Sequence, residues 1–151
     1  RIHRAVDTCL FASEEVVREV AGNSELILAD LKHMDPQKHK EFTGQTNELI
    51  LANIRMLAEE GYNFIVRIPL IEGVNADVEN IKATAEFLAS LPGAEERQVE
   101  LLPYHNVGMG KHSRMGSRYN PLNIPMEKPS SETISRCISL FEEFGIEATA
   151  K

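Results

Sequence analysis

Asp7, Asp30, Lys32, Arg67 and His105 all fall in or just past short apolar runs. The run Glu25-Leu26-Ile27-Leu28-Ala29-Asp30-Leu31-Lys32 carries most information. Its first part has the length and apolarity of a buried strand, and it ends in a carboxylate and an ammonium at alternate positions. A strand has a period of two, so Asp30 and Lys32 leave the sheet on the same side. The carboxyl ends of buried parallel strands are where α/β folds hold ligands. Arg67 interrupts Phe64-Ile65-Val66-Arg67-Ile68, and His105 follows Leu101-Leu102-Pro103-Tyr104. A mouth carrying both signs of charge suits a zwitterionic or charged small molecule better than an apolar one. The plain alternatives are ion pairs at a strand exit, such as Arg67 with Asp30, and a satisfied loop histidine at position 105.

The elements that must position these residues alternate. Residues 1–6 read as a short strand ending at Asp7-Thr8. Ser13 caps a helix whose apolar side is Val16, Val17 and Val20, and Gly22-Asn23 ends it. After the 25–32 strand, Asp35-Pro36 starts a brief helix closed by Thr43-Gly44. Thr46 begins a longer one with Ile50, Ile54 and Leu57 on one face. Residues 63–70 form the next strand. Asn75 caps a helix over 76–91 that buries Val78, Ile81, Ala85 and Leu88. Residues 99–102 form another strand, and a polar, glycine-rich segment runs over 106–129. Ser130 or Ser131 caps a last helix with Ile134, Cys137, Ile138, Phe141 and Phe144 inward, Gly145 ends it, and 146–150 closes as a strand. Strand ends at Lys32, Ile68 and Pro103 lie one βα unit apart, which implies parallel strands and right-handed crossovers. The expected sheet has three or four strands, an open α/β layer or half of a barrel, with an unpaired edge.

At 151 residues the chain reads as one domain over 1–151, with 42% hydrophobic and 26% charged residues. Its net charge of −7, with dispersed Lys and Arg, argues against nucleic acid or an anionic membrane as partner. No apolar run has spanning length and the start is no signal peptide. Two distant cysteines, Cys9 and Cys137, make neither a disulfide framework nor a metal site, so a reducing cytoplasm is expected. Gly108-Met109-Gly110-Lys111 lacks phosphate-loop spacing and reads as a loop over the mouth. His33, His39 and His112 lack metal-ligand spacing and read as surface residues. Ser13, Ser113 and Ser117 lack the elbow of a hydrolase nucleophile.

Ala29-Asp30-Leu31-Lys32-His33-Met34, Arg67-Ile68-Pro69, Leu101-Leu102-Pro103-Tyr104-His105 and the stretch from Gly108 to Gly116 carry a resemblance. They occur in this order and at similar spacing in the glycyl radical enzyme activating enzymes. Val6-Asp7-Thr8 and Gly44 also match. Over nearly its whole length the chain resembles that family, most closely its pyruvate formate-lyase type. The resemblance implies the C-terminal half, strands three to six, of the partial (β/α)6 barrel of radical S-adenosylmethionine proteins. It implies S-adenosylmethionine and a [4Fe–4S] cluster in a full-length parent, the cluster on a CxxxCxxC motif. There, one electron cleaves the cofactor to a 5′-deoxyadenosyl radical, which takes hydrogen from a glycine of the partner glycyl radical enzyme. It implies that Asp30, Lys32 and His105 help hold the cofactor, with Arg67 close by. It also implies a monovalent cation at Asp7, Thr8, Asp30 and the backbone of Leu28.

The sequence departs from the family in having no CxxxCxxC and no Gly-Gly-Glu strand, both expected before Arg1. Cys9 and Cys137 do not make a three-thiolate cradle. No cluster ligand and no catalytic residue are therefore expected within these residues, and the chain alone is expected to be inactive. Two other readings stand beside this one: a non-catalytic binding module that keeps a partner-docking surface, and half of another radical S-adenosylmethionine enzyme acting on a small molecule.

Overall fold

Apolar alternation and turn chemistry set the elements in a computed structural model that describes residues 2–105 and 123–151. In order they are β1 (Ala5–Thr8), α1 (Glu14–Gly22), β2 (Leu26–Asp30), α2 (Pro36–Thr43), α3 (Glu48–Glu59), β3 (Phe64–Leu70), α4 (Val78–Ala89), a 3₁₀ turn (Ala94–Glu96), β4 (Gln98–Pro103), α5 (Ser131–Glu142) and β5 (Glu147–Ala150). The five strands are parallel and lie in sequence order, β1-β2-β3-β4-β5. That exceeds the expected three or four, because the four-residue end strands both pair.

The unbroken order decides the layering. Right-handed crossovers that always advance to the next strand put every helix on one side of the sheet. A doubly wound fold instead reverses its order and covers both faces. The helix-side face holds Ile27, Ala29, Phe64, Val66, Ile68, Leu70, Val99 and Leu101, all buried. Against them pack Val17, Ala21, Ile54, Leu57, Ile81, Ala85, Leu88, Cys137 and Phe141 from the helices. Each large side chain buried there contributes about 1.5–3 kcal/mol. The opposite face is the concave side of a partial barrel. It carries Asp7, Leu28, Asp30, Ile65, Arg67, Pro69, Glu100 and Leu102, none of them fully buried.

Local chemistry starts and stops the helices. Asp35 caps α2, its Oδ1 accepting from Gln37 N at 2.8 Å and Lys38 N at 2.9 Å, with Pro36 in the first turn. Gly44 takes the left-handed conformation, φ 87°, that lets its N–H close on Lys40 O at 2.8 Å. Ser130 caps α5 by accepting from Thr133 N. Several expectations need correction. α3 begins at Glu48 rather than Thr46, because Asn47 turns its side chain inward. α4 is shorter than 76–91, and its cap is Asp77, whose Oδ1 accepts from Asn80 N at 2.9 Å; Asn75 is engaged elsewhere. Val78, in the first turn of α4, is exposed rather than buried. In α1 only Val17 of the three valines is buried; Val16 and Val20 face outward, since a helix at the end of an arc is flanked on one side only, here by α3. Ser13 occupies the cap position of α1 without a side-chain capping bond. Among the described residues, no helix is long and apolar enough to cross a membrane.

Candidate functional site

The β2 exit is held by asparagines. Asn75 donates through Nδ2 to Lys32 O and Pro69 O, both at 2.8 Å, and accepts from Ile71 N at 2.8 Å. Asn47 donates to His33 O at 2.9 Å and Met34 O at 2.6 Å. Asn80 accepts from Met34 N and donates to Asn75 O, both at 2.8 Å. All three are buried. Buried backbone groups require partners, and here three side-chain amides supply them where the strand has ended and no ladder remains. The backbone of Lys32-His33-Met34 is thereby fixed to the β3 exit and to the starts of α3 and α4.

On the concave face Asp30, Arg67, Glu100 and Thr149 stand in register on adjacent strands. Lys32 Nζ donates to Asp30 Oδ2 at 3.0 Å. Arg67 does not pair with Asp30, its register neighbour. It crosses over β2 to Asp7, Nη1 to Oδ2 at 2.6 Å. On its other side Arg67 Nε lies 3.6 Å from Glu100 Oε2, too far for a hydrogen bond, and Lys151 Nζ reaches Glu100 Oε1 at 3.5 Å. The Arg67 Nε is buried and has no hydrogen-bond partner among the described residues. Asp7 and Asp30 each commit one oxygen to a cation of the chain itself, and the other oxygen of each makes no bond among the described residues.

The structure thus brings together Asp7, Asp30, Lys32 and Arg67. Leu28 is the register neighbour of Asp7. Thr8 alternates to the helix side, and its Oγ1 accepts from Leu10 N at 3.0 Å. His105 is exposed, two residues past the end of β4; Tyr104 N donates to Leu70 O at 2.8 Å and keeps that exit beside β3. The stretch from Gly108 to Gly116, with His112 and Ser113, and Ser117 beyond it, lies outside the described residues. His33 and His39 are not surface residues; they are 4% and 3% exposed. His33 Nδ1 accepts from Asp35 N at 3.0 Å. His39 Nδ1 lies 2.6 Å from Gln45 O, which can only accept, so Nδ1 carries the proton. Burial, and secondarily Lys38, pushes the His33 imidazole below its ordinary range. Glu100 and the three asparagines are participants that sequence reasoning missed. The period-two pattern of Gln98-Val99-Glu100-Leu101-Leu102 would have found Glu100; no hydropathy signal marks the asparagines.

Chemically, the concave face offers carboxylate acceptors beside an ammonium and an under-bonded guanidinium. That donor set fits a small molecule bearing hydroxyl, ammonium and carboxylate groups, as S-adenosylmethionine does. The two spare carboxylate oxygens suit a hard monovalent cation. An iron–sulfur cluster does not fit the thiols present. Cys9 is exposed, while Cys137 is wholly buried, its Sγ 3.9 Å from Ala76 O and its thiol pushed up by burial.

Comparison with known proteins gives a consistent set. No family model matches the sequence. The trans-4-hydroxy-L-proline dehydratase activating enzyme of Clostridioides difficile is 43% identical over 143 residues, 93% of this chain and 46% of that protein. The choline trimethylamine-lyase activating enzyme of Oleidesulfovibrio alaskensis is 35% identical over 144 residues, again 93% and 46%. Among solved structures, a domain of pyruvate-formate lyase-activating enzyme from Bacteroides vulgatus superposes with a TM-score of 0.80 at 46% identity, covering 99% of this chain and 81% of that one. A radical SAM methyltransferase from Sphaerobacter thermophilus, 20% identical with a TM-score of 0.66, shares the fold. The chain spans about half the length of the curated relatives it matches.

Proposed function

The chain belongs to the glycyl radical enzyme activating enzymes of the radical S-adenosylmethionine superfamily, and from that membership we propose that its concave face holds S-adenosylmethionine at the β2 exit. The observation that carries this is the Asp30–Lys32 pair beside an Arg67 Nε that has no hydrogen-bond partner among the described residues. Asp30 accepts from the ribose hydroxyls. Lys32 and Arg67 donate to the cofactor's carboxylate end, and His105 flanks it. Asp7, Asp30 and the backbones of Thr8 and Leu28 form the place for a monovalent cation, which their oxygen donors suit.

The activity we propose for the protein is reductive cleavage of this cofactor and removal of hydrogen from a glycine of a partner glycyl radical enzyme. That partner is of the pyruvate formate-lyase type, a choice supported by the 46% identity to the Bacteroides vulgatus domain. The unpaired thiols Cys9 and Cys137 support work in a reducing cytoplasm. The 151 residues alone do not carry out the chemistry, because a cubane needs thiolates that this chain does not supply.

The test is calorimetric titration of the chain with S-adenosylmethionine. A few hydrogen bonds of about 1 kcal/mol each support roughly millimolar affinity, and D30N and K32Q should each weaken it. Equal binding by both variants would overturn the assignment. Anaerobic reconstitution with iron and sulfide should leave no stoichiometric cluster and release no 5′-deoxyadenosine. Either product from the chain unaided would overturn the claim of inactivity.

A further inference from the structure

A cavity of about 370 Å³ opens at the amino ends of β3 and β4, and its walls include Ala58, Phe64, Pro92, Gly93, Glu96 and Arg97. The seven residues of β3 separate it from the carboxyl-end mouth by roughly 20 Å. Arg97 is 8% exposed, and a tight turn places it. Gly93 enters that turn at φ 70°, Glu96 N donates to Gly93 O at 3.2 Å, and Arg97 N donates to Ala94 O at 3.0 Å. The side chain then folds back, with Cζ 3.9 Å from the centroid of the Phe64 ring and Nη2 donating to Pro92 O at 3.0 Å. A ring engages only the face of a guanidinium; its five N–H groups lie in the plane and need acceptors. Among the described residues Pro92 O is the acceptor they find, and the buried Nε has none. No carboxylate pairs with Arg97 among these residues. Exposed Glu95 and Glu96 attract it only from a distance, and burial outweighs them, holding the guanidinium below its usual range. A buried cation without a paired anion is unfavourable.

We propose that this cavity binds the carboxylate of a small organic acid on the Arg97 guanidinium. The site stands apart from the proposed function and needs none of its residues. Arg97 Nη2 is at the cavity wall, because both groups beside it belong to that wall: Pro92 O accepts its bond, and a methyl at Gly93 would lie 3.7 Å from it. A planar guanidinium matches a carboxylate in shape and charge. Ala58, Phe64 and Pro92 give the acid's short apolar body something to lie against. Glu96 sets the charge the site accepts. With one carboxylate already in the lining, a single added negative charge is balanced by Arg97, whereas a dianion such as phosphate is opposed.

The test is a titration of the 151-residue chain carrying nitrogen-labelled arginine, followed by magnetic resonance at neutral pH. Propionate should shift the Arg97 Nε–H resonance and saturate at roughly millimolar concentration, as a few hydrogen bonds allow. Propionamide, of the same shape without the charge, and phosphate should each bind about tenfold more weakly or worse. E96Q removes an exposed charge and should tighten propionate about threefold, the effect of one solvent-screened neighbour. R97K keeps the charge but loses the planar fork; it should weaken propionate about tenfold and leave S-adenosylmethionine affinity unchanged. Should R97K fail to fold, E96Q and the ligand series still decide. An Arg97 resonance that propionate leaves unmoved, propionamide or phosphate binding equally well, or E96Q without effect overturns the proposal.

Discussion

Asn75→Ala is the most informative single substitution. Its side chain makes three 2.8 Å bonds, to Ile71 N, Lys32 O and Pro69 O, and the residue is 2% exposed. Truncation leaves all three backbone groups without protein partners. Each such group costs about 1–3 kcal/mol. Water entering the vacated space restores part of this, so the low end applies, about 3 kcal/mol in total. For a domain of this size that corresponds to about 6–12 °C in Tm. The assay is equilibrium unfolding in urea followed by circular dichroism, with the slope unchanged between variants. Asn75→Asp is the sharper control. It retains the acceptor for Ile71 N but turns a carboxylate oxygen toward two carbonyls, so at neutral pH it should destabilise at least as much as alanine. A loss below about 1 kcal/mol in N75A would refute the view that this amide holds the β2 exit.

Other outcomes follow from named groups. Burial holds the folded His33 imidazole below its ordinary range, so the unfolded chain protonates first as pH falls. Stability should therefore be unaffected by His33 above about pH 6.5 and decline below it until the folded ring titrates; H33N, which keeps an acceptor for Asp35 N, should flatten that decline in Tm against pH. Iodoacetamide should add one group to the native chain, at exposed Cys9, and a second, at Cys137, only in denaturant, as read by mass spectrometry. Strand β1 has no outer neighbour among the described residues, and unpaired edges recruit other chains. Sedimentation at millimolar concentration should show self-association, and a clean monomer would refute this.

What was legible in the sequence had local causes. Asp35-Pro36 and Gly44 bracket α2 by capping chemistry alone, and apolar runs mark the strands without reference to their partners. Asp30 and Lys32 were found because a two-residue spacing in a strand fixes a shared side. What was not legible depends on distant backbone. Asn47, Asn75 and Asn80 look like caps or surface residues, since hydropathy cannot distinguish an amide facing water from one facing a carbonyl. His33 and His39 were misplaced for the same reason, being buried polar residues whose Nδ1 atoms face the backbone of Asp35 and Gln45. The choice of Asp7 by Arg67 needs the register of three strands at once, and Lys32 already occupies the nearer carboxylate.

The one-way order of the strands also governs how the arc assembles and comes apart. Among the described residues every strand hydrogen-bonds only to its predecessor and successor in the sequence, so the sheet can grow by accretion from any adjacent pair, in the manner of a repeat array. Closing each successive crossover costs entropy that rises only slowly with its length. Fraying is then an end effect: β1 and β5, four residues each and paired on one side among the described residues, detach before the centre. Amide hydrogens of β3, paired on both sides and buried at alternate residues, should exchange last. A lesion in β3 differs in kind from one at either end, because it severs the arc into two pieces instead of shortening it.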